Sequence, residues 1–282
     1  MPEDPGTKIL KESGETEDFD RRKILGSLLR VGVRPEDAEG IIGEIARTVK
    51  PPLTTRKVSR AAKKLLHRYD VNCRMRYSLK EAIYALGPSG YPFEKYVGRV
   101  LREQGYEVEV DSMVEGRCVT HEVDLTARKD GLCYMVECKF HHNRRTTSDV
   151  KTALYVHARF LDILKAGKMC PGDRFHRGML VTNTRFTSEA VKYAECTGLK
   201  TMGWRHPEGE SLERAIELGR TYPVTVLPGA RKAVLEALLT RDIVLAREVL
   251  DRSAEELMDL TGLRRDEISK LKARSAGLCG PL

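Results

Sequence analysis

The 282-residue chain contains no run of about 18 apolar residues, so no membrane-crossing helix and no membrane partner are expected. Its first residues, MPEDPGTKILKESGE, lack the charged-then-apolar order of a secretory leader, which points to the cytoplasm. Cysteine is sparse and irregular: seven residues, at 73, 118, 133, 138, 170, 196 and 279, with no C-x-x-C pair. That pattern speaks against a disulfide framework or a structural zinc site and for reduced thiols. Neither an internal repeat nor a long low-complexity tract is present, which leaves out solenoid and fibrous designs. Charge is not balanced: 49 Lys and Arg face 41 Asp and Glu, a formal +8. A polyanionic partner fits that excess, although basic proteins that bind no nucleic acid share it.

A chain of this length buries a sizeable core and predicts two domains, or three with a small appendage. From Asp20 to Ala85 the spacing is helical. In PEDAEGIIGEIARTVK, the residues Ala38, Ile41, Ile42, Ile45, Ala46 and Val49 recur on one face, with Pro35 in the first turn and Pro51-Pro52 closing it. Ahead of that module TKILKESGETEDFD reads as a hairpin turning at Gly14. LGPSGYP, residues 86–92, is a linker. Beyond it a helix, three strands, a helix, a strand, a helix and a strand follow in turn, an α/β order with a sheet covered by helices. From about Ala230 the pattern is helical again. The expected domains are residues 1–88, 89–228 and 229–282.

The chemistry concentrates in YMVECKFHH. On a strand, Leu132, Tyr134, Val136, Cys138 and Phe140 share an apolar face, and Cys133, Met135, Glu137 and Lys139 share the other. The preceding strand places Asp124 among Thr120, Glu122, Thr126 and Arg128 on a polar face, and a turn at Lys129-Asp130-Gly131 makes a hairpin that brings Asp124 near Glu137. Two carboxylates this close repel. Magnesium offsets the repulsion, and a neighbouring lysine stabilises negative charge on a phosphate under attack, so the trio suits phosphodiester hydrolysis. The plain alternative is a same-face ion pair of Glu137 and Lys139 on a solvated strand. HHNRRTTSDVK follows, where His141, His142, Arg144, Arg145 and Lys151 suit a phosphate backbone as well as they suit a solvated loop. Zinc binding by His141, His142 and Cys138 is set aside, because adjacent histidines point apart and Cys138 faces the apolar side.

YPFEKYVGRVLREQGYEVEV, HEVDLTAR and VECKF, with LVTNTRFTSEAVKYAECTGLKTMGW after them, resemble the PD-(D/E)XK nucleases of the Mrr-type restriction endonuclease group. The resemblance covers Gly90 to Trp204 and implies a restriction-endonuclease-like mixed sheet flanked by helices. It also implies that Asp124 and Glu137 bind the metal, that Lys139 orients or polarises the attacking water, and that Glu94 supports the metal. The usual proline before the aspartate is replaced by Val123.

The segment from Lys8 to Pro88, with ILKESGETEDFDRRKILGSLLRVGV at its start and RYSLKEAIYALGP at its end, resembles the ATP-cone, a regulatory nucleotide-binding domain. By that resemblance Lys11 and Lys23 contact the phosphates of ATP or dATP. KESGET departs from the family's usual turn. At the other end, AEELMDLTGLRRDEISKLKARS looks like a helix-hairpin-helix, in which Arg264 and Arg265 would meet a DNA phosphate. A plain hairpin that packs on the nuclease domain or pairs two copies fits equally.

The leading expectation is a magnesium-dependent DNA endonuclease responsive to an adenine nucleotide. The alternatives are a nucleotide-responsive DNA-binding regulator without cleavage and an RNA-directed nuclease of the same fold. Homo-oligomerisation is left open.

Overall fold

The computed structural model describes the chain apart from residues 1–7, 11–14, 19, 51, 88, 168, 171–172, 229 and 281–282. Two compact units divide it, residues 1–80 and 81–282. In the first, β1 (Lys8–Leu10) and β2 (Thr16–Asp18) pair antiparallel with Ile9 opposite Glu17. The turn expected at Gly14 lies outside the described residues. Four helices follow: α1 (Arg21–Arg30), α2 (Pro35–Thr48), α3 (Thr55–Tyr69) and α4 (Val71–Tyr77). Asp20, Thr54 and Asp70 cap α1, α3 and α4 by accepting backbone N–H groups that have no partner inside the helix. Ile9, Leu28, Ile42, Ile45, Val58 and Leu66 close the core. The expected apolar face of α2 holds at Ala38, Ile41, Ile42 and Ile45, while Ala46 is exposed and lies outside the 3.6-residue stripe.

α5 (Leu79–Tyr84) runs across the division between the units. The second unit continues with α6 (Tyr91–Glu103) and the strands β3 (Glu107–Glu115), β4 (Thr120–Lys129) and β5 (Leu132–Lys139). Next come β6 (Thr147–Ser148), α7 (Val150–Ala166), β7 (Met169–Cys170), β8 (Asp173–Arg174), β9 (Arg177–Thr182), β10 (Arg185–Phe186), α8 (Ser188–Thr197) and β11 (Lys200–Met202). The five-stranded sheet has the order β11-β9-β5-β4-β3. Pairs β3/β4 and β4/β5 are antiparallel hairpins, whereas β5/β9 and β9/β11 are parallel. Parallel neighbours need a crossover, and α7 and α8 supply the two. α6 lies on one face, where Gly98 comes so close to Val108, Val110 and Leu125 that a methyl group there would touch all three. On the other face Val123, Cys133, Met135 and Leu180 pack with Val156, Phe160 and Ile163 of α7 and Ala190 and Ala194 of α8.

Four more helices complete this unit: α9 (Leu212–Gly219), α10 (Lys232–Thr240), α11 (Ala254–Thr261) and α12 (Arg265–Cys279). They grip α6. Tyr96 Oη donates to the Thr221 carbonyl at 2.8 Å, Arg99 reaches Asp242 at 2.7 Å and Glu248 at 2.9 Å, and Arg247 reaches Glu103 at 2.7 Å. Glu248 also accepts the N–H groups of Val244 and Leu245.

The expectation of reduced thiols throughout needs correction, because Cys133 is disulfide-bonded, whereas cysteines 73, 118, 138, 196 and 279 are free. Among the described residues no helix is long and apolar enough to cross a membrane.

Candidate active site

The ladder between β4 and β5 runs from Lys129↔Leu132 to Leu125↔Val136, and the next pair in that register is Asp124 with Glu137. Backbone pairing stops there. The Asp124 carboxylate takes the place of a ladder carbonyl: its Oδ2 accepts the Cys138 N–H at 2.7 Å. On the opposite side, the register of Val110↔Leu125 and Ser112↔Val123 sets Asp111 against Asp124. Asp111 has φ 60°, a left-handed conformation that side-chain-bearing residues adopt at a cost of about 1 kcal/mol or more. The facing of β4 slips at this point. Val123 belongs to the core under α7, while Leu125, two residues on, lies beside α6. A slip of this kind is how a strand re-aims one side chain.

The face expected to be polar is therefore polar only at its end. Cys133 and Met135 are buried beneath α7 and α8, and Glu137 and Lys139 lie where that cover gives out. Lys139, the last residue of β5, is exposed, and its carbonyl accepts the Thr182 hydroxyl at 2.8 Å. Glu94 sits in the first turn of α6, where the helix dipole favours an acid. A Cβ at Gly90 would stand 3.0 Å from Glu94 Oε1, so the glycine leaves room for that carboxylate over the helix start.

The acids act on one another. Burial pushes the Asp124 carboxyl up to about 7, the Glu137 charge adds to the rise, and the Cys138 N–H partly counters it. Glu94 is also raised, by burial first and then by Glu137, Asp111 and Glu122. This is a crowd of hard oxygen donors whose charges oppose each other, and a divalent cation between them would reverse that opposition. Among the described residues no cluster of three His, Cys, Asp or Glu is arranged to hold a metal. Asp124 and Glu137 are the carboxylates that could take a divalent cation here, and an ion such as magnesium, which keeps several waters, needs only one or two carboxylates beside phosphate oxygens.

Two residues at this site were not anticipated. Arg159, on α7, pairs with Glu137 Oε2 and donates a second hydrogen bond to the Glu122 carbonyl. Its signal in the sequence is the one arginine between Val156 and Phe160, at the edge of the buried stripe of α7. Asp111 has no signal of its own, since its importance comes from a backbone angle.

The basic stretch after β5 is partly tied down. The His141 N–H donates to the Asn183 side chain at 2.8 Å, Asn183 donates back to the His141 carbonyl at 2.9 Å, and His141 Nε2 lies 3.0 Å from Ser148 Oγ. Burial lowers the His141 pKa. His142 stands edge-on to Phe140, Arg144 lies 3.7 Å from Glu81 and over the Tyr84 ring, and Arg145 and Lys151 are exposed. Asp149 caps α7. In the α11–α12 hairpin, Gly262 turns with φ 66°, Arg264 pairs with Asp266 and Glu267, and Arg265 pairs with Glu255. The Arg264 N–H donates to Glu267, so one amide of the hairpin is already occupied. In the first unit Lys23 Nζ donates to Glu17 Oε2 at 2.8 Å, while Lys11 lies outside the described residues.

The five-stranded mixed sheet flanked by helices has a restriction-endonuclease-like arrangement. Residues 87–202 match the Mrr catalytic domain family, described as restriction endonuclease, and residues 222–279 match the AF1548-like C-terminal family. An uncharacterized protein of Archaeoglobus fulgidus is 38% identical over 184 residues, 65% of this chain and all of that protein. The crystal structure of AF1548, a protein of unknown function, superposes with a TM-score of 0.57 at 36% identity, covering 68% of this chain and 99% of that one. The chain belongs to the AF1548-like family. The complex of MspJI restriction endonuclease with a 27-mer oligonucleotide aligns with 76% of this chain and 40% of its own at 14% identity and a TM-score of 0.32, too slight a likeness to bear on function.

Proposed function

We propose that this protein is a magnesium-dependent endonuclease that hydrolyses DNA phosphodiester bonds. The observation that carries the proposal is the Asp124 carboxylate, locked onto the Cys138 N–H beside Glu137 where the β4–β5 ladder ends. Asp124 and Glu137 would hold the metal, which supplies a Lewis acid for the phosphate and lowers the pKa of a bound water. The chain's own groups do the rest. Lys139, exposed at the rim, orients or polarises the water and meets the negative charge that builds on the phosphate. Glu94 adds a second line of negative charge behind the pair. Arg144, Arg145 and Lys151, with His141 and His142 in the same stretch, face a nucleic-acid backbone, and Arg264 and Arg265 at the hairpin add a second contact once phosphate replaces their acidic partners.

The first unit is an ATP-cone-like regulator in this reading, with Lys11 and Lys23 as the phosphate partners of ATP or dATP. Lys23 is held by a carboxylate, so a triphosphate would exchange one anion for another at the same ammonium. Work proceeds in the cytoplasm, and nucleotide binding alters either self-association or cutting rate.

The test compares wild type with Asp124→Ala, Glu137→Ala and Lys139→Ala on labelled DNA and RNA duplexes, reading binding and cleavage separately. Cleavage of DNA is expected to fall at least about 100-fold in each variant while binding persists. Cutting at the wild-type rate by any of them removes that residue from the assignment, and cutting of RNA alone redirects the substrate.

A further inference from the structure

Arg159 holds two strands at once. One arm of its guanidinium meets Glu137 Oε2 on β5 and the other donates to the Glu122 carbonyl on β4, two residues before Asp124. Both partners in the ion pair are largely shielded, the side chains of Arg159 and Glu137 being 12% and 17% exposed. The Arg159 guanidinium also lies 5.4 Å from the Tyr155 ring centroid, one turn earlier on α7.

The helix that carries Arg159 is itself fastened to β4. Asp162, three residues on and so on the same side of α7, accepts the N–H groups of Cys118 at 2.9 Å and Val119 at 3.3 Å, and lies 2.8 Å from His121 Nε2. These bonds hold its carboxyl down to about 2, led by the one from His121. Gly116 is the residue that lets this happen, because a Cβ there would stand 2.1 Å from Asp162 Oδ2. A ledge fixed at Asp162 thus presents Arg159 to the end of the β4–β5 hairpin, where the backbone ladder has stopped.

We infer that Arg159 is the positioning residue of the cation site: by engaging Glu137 Oε2 and the β4 backbone together, it fixes the separation of Asp124 from Glu137 and leaves Glu137 Oε1 for a divalent cation. The inference rests on reading this site as a metal-dependent nuclease centre. Only a planar fork with two separated donors serves both strands, so lysine is a poor substitute. Hydrogen bonds to a ligating carboxylate typically contribute 10–100-fold to metal affinity, which sets the expected size.

The experiment is a Mn²⁺ titration of the full chain without nucleic acid, read by electron paramagnetic resonance, for wild type, Glu137→Ala, Arg159→Met and Arg159→Lys. Circular dichroism checks each fold. Arg159→Met is expected to weaken Mn²⁺ binding about 10–100-fold, and Arg159→Lys, which keeps charge and stem but loses the fork, by a smaller factor. Should Arg159→Met fail to fold, the lysine variant against wild type decides alone. Equal or tighter binding in the folded arginine variants, with Glu137→Ala impaired, overturns this inference and leaves the site standing. No Mn²⁺ binding by wild type, or binding by Glu137→Ala equal to wild type, overturns the site and the inference together.

Discussion

Asp124 carries a cost that pH exposes. An aspartate whose carboxyl is raised from 3.8 to about 7 in the folded chain destabilises the fold when ionised. In EDTA the penalty is absent below about pH 4, grows as pH rises, and is complete above about pH 7. A rise of that size corresponds to on the order of 4 kcal/mol. Asp124→Asn is therefore expected to unfold at higher urea than wild type at pH 8 in EDTA, with the gain shrinking toward pH 4; a variant no more stable at pH 8 contradicts the charge crowding. Glu137 and Lys139 were legible as neighbours because their two-residue spacing along one strand is a local fact, whereas the period of two fails at Asp124, where Val123 and Leu125 face opposite sides. Arg159 and Asp111 were not, since one reaches the site from a helix 22 residues beyond Glu137 and the other matters through its backbone angle. The identities of Arg264 and Arg265 were readable, but not the acids that pair with them across the hairpin.

At the scale of elements, α6 links the site to the segment between α10 and α11. Its first turn holds Glu94, and Lys95, Arg99 and Glu103 along its length meet Asp242, Glu248 and Arg247. Glu248 is the hub, joining Arg99 to the Val244 and Leu245 amides. Its loss removes one of the two acids on the half-buried Arg99 guanidinium and leaves two amides without their acceptor, so Glu248→Ala is expected to cost about 2–4 kcal/mol in urea unfolding, and an effect below about 0.5 kcal/mol would show that the network contributes little. Most elements were legible from periodicity: α6, α7 and α8 and the five strands of the main sheet fall within a few residues of their patterns, whereas the two-residue strands β6, β7, β8 and β10 are too short to leave one. What the pattern missed is the attachment of the tail. An amphipathic helix records that it has a buried face, not which neighbour covers it.

For the whole molecule, the division after Lys80 sets the boundary ahead of the proline- and glycine-rich stretch that composition suggests. The second unit holds α5 from Glu81, and the Thr225 hydroxyl donates to the Ala82 carbonyl at 2.6 Å. A chain of residues 81–282 is expected to fold and unfold as one cooperative unit, whereas residues 90–282, stripped of that anchor and of buried Ile83 and Leu86, melt lower. Equal melting of the two would make the earlier residues dispensable. ATP and dATP are expected to release heat in calorimetry with the full chain and none with residues 81–282; no heat with the full chain rejects the regulatory reading of the first unit and leaves the nuclease reading untouched. That reading meets its most direct test in one assay, the nicking of supercoiled plasmid by purified full-length protein in Mg²⁺, followed over time beside Glu137→Ala and an EDTA control. The account predicts conversion to open circles by wild type with Mg²⁺ and intact plasmid in both controls. Nicking that survives EDTA, or proceeds as fast with Glu137→Ala, would contradict a metal site built on Asp124 and Glu137.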